Sequence, residues 1–327
     1  MNLAHRLGNR MYYELFIPRL ERINAQKNSI HPQNPLLIFG NPRGGTTWMG
    51  EILETLPNSI LAHEPLRRGR LKELIELDFF WHQPIPIEDD WQEAQEIMRK
   101  LLNREILDIS LYFQNKIWTL PQKDCFIFKF CHGNMLLAWL VKKFPVNPVL
   151  IARHPCAVVA SQLNHGGWKD LKSGKVAYDI PEFRNNEVYL QYIDILSRVK
   201  SIEENLAATW ALTMTQTISH PLNNIDWITV SYESLYLKFE WEIQRIFSRL
   251  GIPVPQKVWE LKRRPSKSTS PQAKAYISSG RQLQKWKDYL SKTQQDRILS
   301  IVKEFGIGFY NKSLEPDYDQ IYRGDKT

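Results

Sequence analysis

The stretch from Leu36 to Trp48, LLIFGNPRGGTTW, constrains this chain most. An apolar run of strand length flows into a turn with two adjacent glycines and then into hydroxyl residues that open a helix, predicted over about 47–55. That is the anatomy of an anion cradle. Backbone N–H groups of Gly44, Gly45, Thr46 and Thr47 can converge on an anion, the helix start offers the positive end of its dipole, and both hydroxyls can donate. Gly40 and Gly45 have the spacing of the G-x-x-x-x-G-K-[ST] loop of nucleotide hydrolases, but Thr46 stands in the lysine position. Arg43 supplies the positive charge from inside the turn. The pattern argues for a 5'-phosphate-type group and against ATP or GTP turnover.

Further short apolar segments follow at Phe126–Phe130, Pro148–Ala152 and Trp227–Val230, each read as a buried strand. Helical patterns lie between and around them: about 71–80, 91–113, 135–144, 156–163, 185–220, 239–250 and 293–305, with loops at Gly166, Gly167 and Gly174 and over the Ser/Lys/Pro-rich 263–280. Strands alternating with helices imply an α/β chain with a central parallel sheet and helices on both faces, in one domain. The boundaries read as a helical N-terminal extension over 1–30, with Pro18 kinking or starting it, a domain over 31–314 and a C-terminal tail over 315–327. In such sheets ligands collect beyond the carboxyl ends of the strands.

The chain has 327 residues and a formal net charge of +8, so an anionic partner is expected. Its basic residues are scattered, as in Arg67, Arg68 and Arg70 or Arg263 and Arg264, and do not alternate with aromatics; a polyanionic cofactor or acceptor explains the excess better than nucleic acid. No apolar stretch reaches the ~18 residues of a membrane span, and the N-terminus is too polar for a signal peptide, which implies a cytoplasmic protein without a transmembrane segment. Cys125, Cys131 and Cys156 lack metal-ligand spacing and read as reduced and buried, so no metal is expected.

After the third of these strands stands RHPCAVVAS: Arg153 lies at the strand's end and Ser161 two helical turns on, roughly on the same side. An arginine fork and a hydroxyl suit a second phosphate. PRGGTTW and this R-x7-S pair together resemble the PAPS-dependent sulfotransferases, whose PR/KSGTTW loop holds the 5'-phosphosulfate and whose RxP-x-x-x-x-x-S motif, matched by Arg153, Pro155 and Ser161, holds the 3'-phosphate. Gly44 departs from the family's usual serine. The resemblance implies a three-layer P-loop-like fold and PAPS as cofactor, with PAP as product. Lys129, 24 residues before Arg153, is placed like the sulfuryl-facing lysine. Tyr232 in SYESL matches the tyrosine beside the adenine, and Trp48 the indole stacked on it. RQLQKWKDYLS, with Trp286, resembles the C-terminal GDWK region that closes over the cofactor, and this match adds Ser279, Gly280 and Arg281 as cofactor contacts. Matches span about residues 36–290.

Direct transfer to a hydroxyl needs the leaving phosphate neutralised, the sulfuryl group steadied and a proton removed from the acceptor. Arg43, Thr46 and Thr47 suit the first task and Lys129 the second. The base is Glu64, placed as in the tyrosylprotein and carbohydrate branches, or His132, three residues after Lys129 where the cytosolic branch has its histidine at two. His63 and His154 would support the site from behind. Trp81, His82, Trp91, Trp139 and Trp168 can floor a sugar pocket or fill the core equally well. The arginines beside Glu64 favour a glycan, glycolipid or peptidyl hydroxyl over a small phenol. Two other classes stay open: a nucleotide or sugar kinase, for which a Walker lysine and a magnesium carboxylate are missing, and a non-catalytic anion-binding protein, including an inactive sulfotransferase-like fold.

Overall fold

β1 (Leu36–Phe39) is wholly apolar because both faces of the sheet it enters are covered. Leu37 and Phe39 point into one core, Leu36 and Ile38 into the other, the alternation that a strand imposes. The computed structural model describes residues 34–67, 69–106, 109–112, 123–165, 168 and 177–325. The expected N-terminal helix over 1–30, Arg68, and Gly166, Gly167 and Gly174 lie outside the described residues.

In chain order β1 is followed by α1 (Thr46–Leu53), β2 (Ser59–His63), α2 (Lys72–Glu76), α3 (Gln92–Leu102), β3 (Cys125–Phe130), α4 (Leu137–Lys143), β4 (Asn147–Ala152), α5 (Pro155–Leu163), α6 (Glu187–Leu190), α7 (Ile193–Leu196) and α8 (Ile202–Thr215). Then come β5 (Ile228–Ser231), α9 (Tyr232–Leu237), α10 (Phe239–Arg249), α11 (Pro271–Ser278), α12 (Lys285–Tyr289), α13 (Lys292–Glu304) and α14 (Tyr318–Ile321). The strands form one parallel sheet in the order β2-β3-β1-β4-β5. Buried residues of α5, α8 and α13 cover one face, and those of α1, α9 and α10 the other. This is the expected three-layer α/β architecture. Among the described residues no helix is long and apolar enough to cross a membrane.

The sheet has one strand more than the sequence predicts: β2, SILAH, is buried along its whole length against β3. The 185–220 stretch is three helices, because Ser201 and Glu204 form a capping box that starts α8 afresh. The 91–113 pattern ends its helix at Leu102, past which Arg104 takes a left-handed φ of 68°. Within 263–280, Ser270 caps α11. Residues read as a tail fold back as α14, where Asn224 Nδ2 donates to Ile321 O at 2.8 Å and the Tyr322 hydroxyl accepts from the Ser231 N–H.

β1 sits between β3 and β4: the chain leaves it for the β2 edge, β3 returns between the two, and β4 and β5 build outwards on the other side. The loops after β1 and β4 therefore flank a switch point, where a crevice opens.

Candidate active site

The turn after β1 is held rigidly before it reaches the crevice. Gly40 N–H donates to Asn134 Oδ1 at 3.0 Å, Gln162 Nε2 to Pro42 O at 3.1 Å and the Thr213 hydroxyl to Asn41 Oδ1 at 3.1 Å. Gly44 N–H closes the turn on Asn41 O at 2.8 Å, so it is not one of the anion donors expected of it. Gly45 has φ 107°, and a Cβ there would lie 2.6 Å from the Tyr232 ring. Both the backbone and the close approach require glycine. α1 then begins at Thr46 with no capping side chain and no acidic residue in its first turn, leaving its first N–H groups to face the crevice.

The crevice is a cleft open to solvent. Its lining brings together Arg43, Gly45, Thr46, Thr47, Trp48, Arg153, Ser161 and Tyr232, eight residues that the sequence nominates. Arg43 Nε donates to Ser161 Oγ at 3.2 Å, and Arg153 Nη1 to Arg43 O at 3.1 Å. The Arg153 guanidinium lies over the Tyr232 ring, 4.1 Å from its centre, and its buried Nε has no hydrogen-bond partner. Trp48 has one face against Phe239, and its Nε1 donates to Leu261 O at 3.3 Å.

The sequence also nominates residues that the cleft does not take. Ser279, Gly280 and Arg281 are exposed beyond the end of α11, outside the lining, and Arg281 pairs with Asp288 at 3.3 Å. Gln282 and Lys285, one helical step on, reach the cleft instead, and Gln282 Nε2 donates to the Tyr232 hydroxyl at 3.0 Å. Trp286 is buried, stacked 4.6 Å from the His154 ring. His154 caps α5: its Nδ1 accepts the Cys156 N–H, which leaves Nε2 to donate to Asn311 O at 2.8 Å. Burial, outweighing that bond, pushes its pKa down to about 4.

Sequence reasoning missed half the wall. Tyr236, Arg263, Arg264, Ser266, Ser268 and Thr269 also line the cleft. The one available signal was the density of cations and hydroxyls in RRPSKSTS. Arg43, Arg153, Arg263, Arg264 and Lys285 thus share one cleft, and no carboxylate is among its described lining residues. The crowding registers in the cations themselves. Burial and the nearby Arg153 lower the Arg43 pKa, and burial with Arg153 and Arg43 brings Lys285 down to about 8.

Next to the cradle, the Thr46 hydroxyl lies 3.2 Å from Cys131 Sγ, and Cys131 N–H donates to Glu64 Oε2 at 2.9 Å. The second oxygen, Oε1, lies 3.2 Å from Lys129 Nζ. Parallel pairing puts His63 beside Lys129 and so carries Glu64 to this end of the sheet. Glu64 itself has φ 51°, rare for a residue with a side chain, and its N–H donates to Lys129 O at 3.0 Å. Burial opposes the Lys129 charge, but the Cys131 sulfur and the Glu64 carboxylate outweigh it and raise its pKa.

His132 stands apart from that pair. Its Nδ1 lies 3.3 Å from His82 Nε2, and its ring packs 4.4 Å from Trp81. Burial, with Arg67 and Lys129, brings His132 down to about 4; burial and His132 bring His82 to about 3, so both rings are neutral at pH 7. His63 is buried and lowered to about 4, by burial first and Lys129 second. Trp139 and Trp91 belong to the core, whereas Trp81 is 36% exposed. Trp168 packs on the edge of the core.

The family model for the sulfotransferase domain matches residues 33–308, and the chain belongs to the sulfotransferase family. It is similar to the solved structure of mouse sulfotransferase SULT7A1 complexed with PAP, at 15% identity over 89% of this chain and 90% of that one, with a TM-score of 0.41. It is also similar to the sulfotransferase domain of the Synechococcus PCC 7002 olefin synthase (14% identity, 86% and 98% covered, TM-score 0.44) and to that of the curacin biosynthetic pathway (14%, 85% and 99%, 0.44). No curated protein matches the chain.

Proposed function

We propose that this enzyme moves a sulfuryl group from PAPS to an acceptor hydroxyl by direct in-line transfer, with Glu64 as general base. The observation that carries the reading is the cleft of five cations with no carboxylate among its described lining residues. So many like charges in one crevice are unfavourable until an anion enters, and the unpartnered Nε of Arg153 is a donor in waiting. A nucleotide with phosphates at both ends of its ribose fits that arrangement. Arg43, Gly45, Thr46 and Thr47 would hold one phosphate, and Arg153, Ser161 and Lys285 the other. Trp48 and Tyr232 would flank the base.

Bound PAPS supplies an activated sulfuryl group and a leaving phosphate. Everything else falls to the side chains. Arg43 and the start of α1 place positive charge where the leaving phosphate gains negative charge. Glu64 Oε2 is fixed by the Cys131 N–H, so Oε1, the atom that Lys129 touches, is the proton acceptor. An ammonium drawn from Glu64 towards an incoming anion frees that oxygen, which couples loading of the donor to readiness of the base. Thr46 packs against Cys131 and so fixes the base relative to the cradle. His132 is the weaker candidate, because its Nδ1 is occupied by His82.

The acceptor side carries Trp81, an exposed indole, with Arg67 near the His132 ring. This surface favours a glycan, glycolipid or peptidyl hydroxyl. Three buried free thiols suit work in the cytoplasm. Calorimetric titration with PAP, beside ATP and magnesium, tests the reading. Binding of PAP without ATP is expected; binding of ATP alone, or of neither, overturns it.

A further inference from the structure

Residues 261–270 form the outer wall of the cleft, with Arg263, Arg264, Ser266, Ser268 and Thr269 on its inner side. Three bonds tie this segment to the other wall. Trp48 Nε1 reaches Leu261 O at its entrance, Arg43 Nη2 reaches Ser268 O at 3.4 Å from the cleft side, and Glu51 Oε1 accepts the Lys267 N–H at 2.7 Å from behind. The Arg43 bond is long, and it belongs to a side chain that an anion in the cleft would claim. The Glu51 bond is short and charge-assisted, and it draws on nothing the ligand needs.

Glu51 comes one helical turn after Thr47, on the same side of α1. One short helix therefore offers its N-terminus to the cleft and, from the next turn, a carboxylate to the wall. At the far end of that bond Lys267 follows Ser266 in a tight turn, in which Thr269 N–H donates to Ser266 O at 2.9 Å and the Ser266 hydroxyl lies 3.2 Å from Ser268 Oγ and 3.1 Å from Thr269 Oγ1. Holding the Lys267 N–H fixes this turn and, with it, the hydroxyls that face the cleft.

We infer that Glu51 is a positioning residue: it latches the 261–270 wall against α1 and sets how long the nucleotide stays bound. The inference rests on the proposed nucleotide reading of the cleft, and the test separates the two.

PAP release measured by stopped flow, together with amide hydrogen exchange over 263–270 without ligand, decides it in the full chain. Glu51→Ala should speed release about tenfold, the effect of losing a hydrogen bond to a charged group, and should raise exchange in the segment. Glu51→Gln keeps an oxygen that can accept the Lys267 N–H but loses the charge, and should fall between the parent and Glu51→Ala. Lys267→Pro removes the donor at a turn position that suits proline, leaves Glu51 intact, and should reproduce the Ala effect. Parental release and exchange in Glu51→Ala and Lys267→Pro overturn the latch. Should the parent bind no PAP, the nucleotide reading falls, and exchange alone still decides whether Glu51 holds the wall.

Discussion

Arg245 and Arg153 are both buried arginines packed on tyrosine rings, and they have opposite surroundings. Arg245, on α10, donates through Nε to Glu242 at 3.1 Å, through Nη2 to Thr229 O at 2.7 Å and through Nη1 to Asp325. Its guanidinium lies 4.6 Å from the Tyr322 ring centre, and the Tyr322 hydroxyl donates to Glu242. Arg153 bonds the carbonyl of another arginine and leaves Nε without a partner. The carboxylate whose field it feels, Glu233, has its oxygens taken by the His154 N–H and the Ser231 hydroxyl. A charge that the protein completes by itself holds structure together, whereas one it leaves incomplete is placed for something that arrives. Removing either arginine tests that contrast.

Arg245→Ala should cost about 3–5 kcal/mol of folding stability, because Glu242 remains as a buried charge without its cation and Asp325 keeps only Arg249. Denaturant unfolding measures it, and a loss below about 1 kcal/mol would place Arg245 with ordinary surface pairs. Glu64→Gln sits between the two extremes, as a paired carboxylate that the proposed mechanism releases. It should lower turnover about a hundredfold and leave PAP affinity at the parental level; transfer at the parental rate would remove Glu64 as base. Arg153→Ala should weaken PAP ten- to a hundredfold, by about 1.5–3 kcal/mol, while unfolding shows no loss comparable with Arg245→Ala. A large stability loss there would make Arg153 a structural arginine after all.

The smallest effect is one of pH. With its pKa near 8, Lys285 is mostly charged at pH 7 and mostly neutral at pH 9. PAP affinity should therefore fall a few-fold across that interval, and Lys285→Arg should flatten the profile. Lowering a lysine pKa on folding means that the unfolded chain holds the proton more tightly, so Lys285 should make the ligand-free protein more stable as pH rises through the same range. Affinity and stability would then move in opposite directions, which chemical unfolding beside titration can detect.

The central part of the site was legible in the sequence, because the cradle is local: strand, turn and helix N-terminus follow one another within 36–48, and Arg153 and Ser161 share one helix and the residue before its cap. β2 was not legible. SILAH is five residues with a single β-branched side chain, and its pairing with β3 makes it a strand. In the sequence the outer wall reads as a plain loop. Its cations look like any solvated run until the chain path brings Arg263 and Arg264 back opposite Arg43.

By itself, then, the sequence determined the alternating α/β layers, the cradle and the nature of its charges, since these depend on neighbours a turn or a strand apart. Which charges stay without a carboxylate depends on the folded chain path. Asp325 reaches Arg245 across 80 residues, Ser268 reaches Arg43 across 225, and no local pattern encodes such meetings. Burial makes an unmet charge costly, so the carboxylates a folded chain withholds from Arg43 and Arg153 mark the place where an anion would be bound.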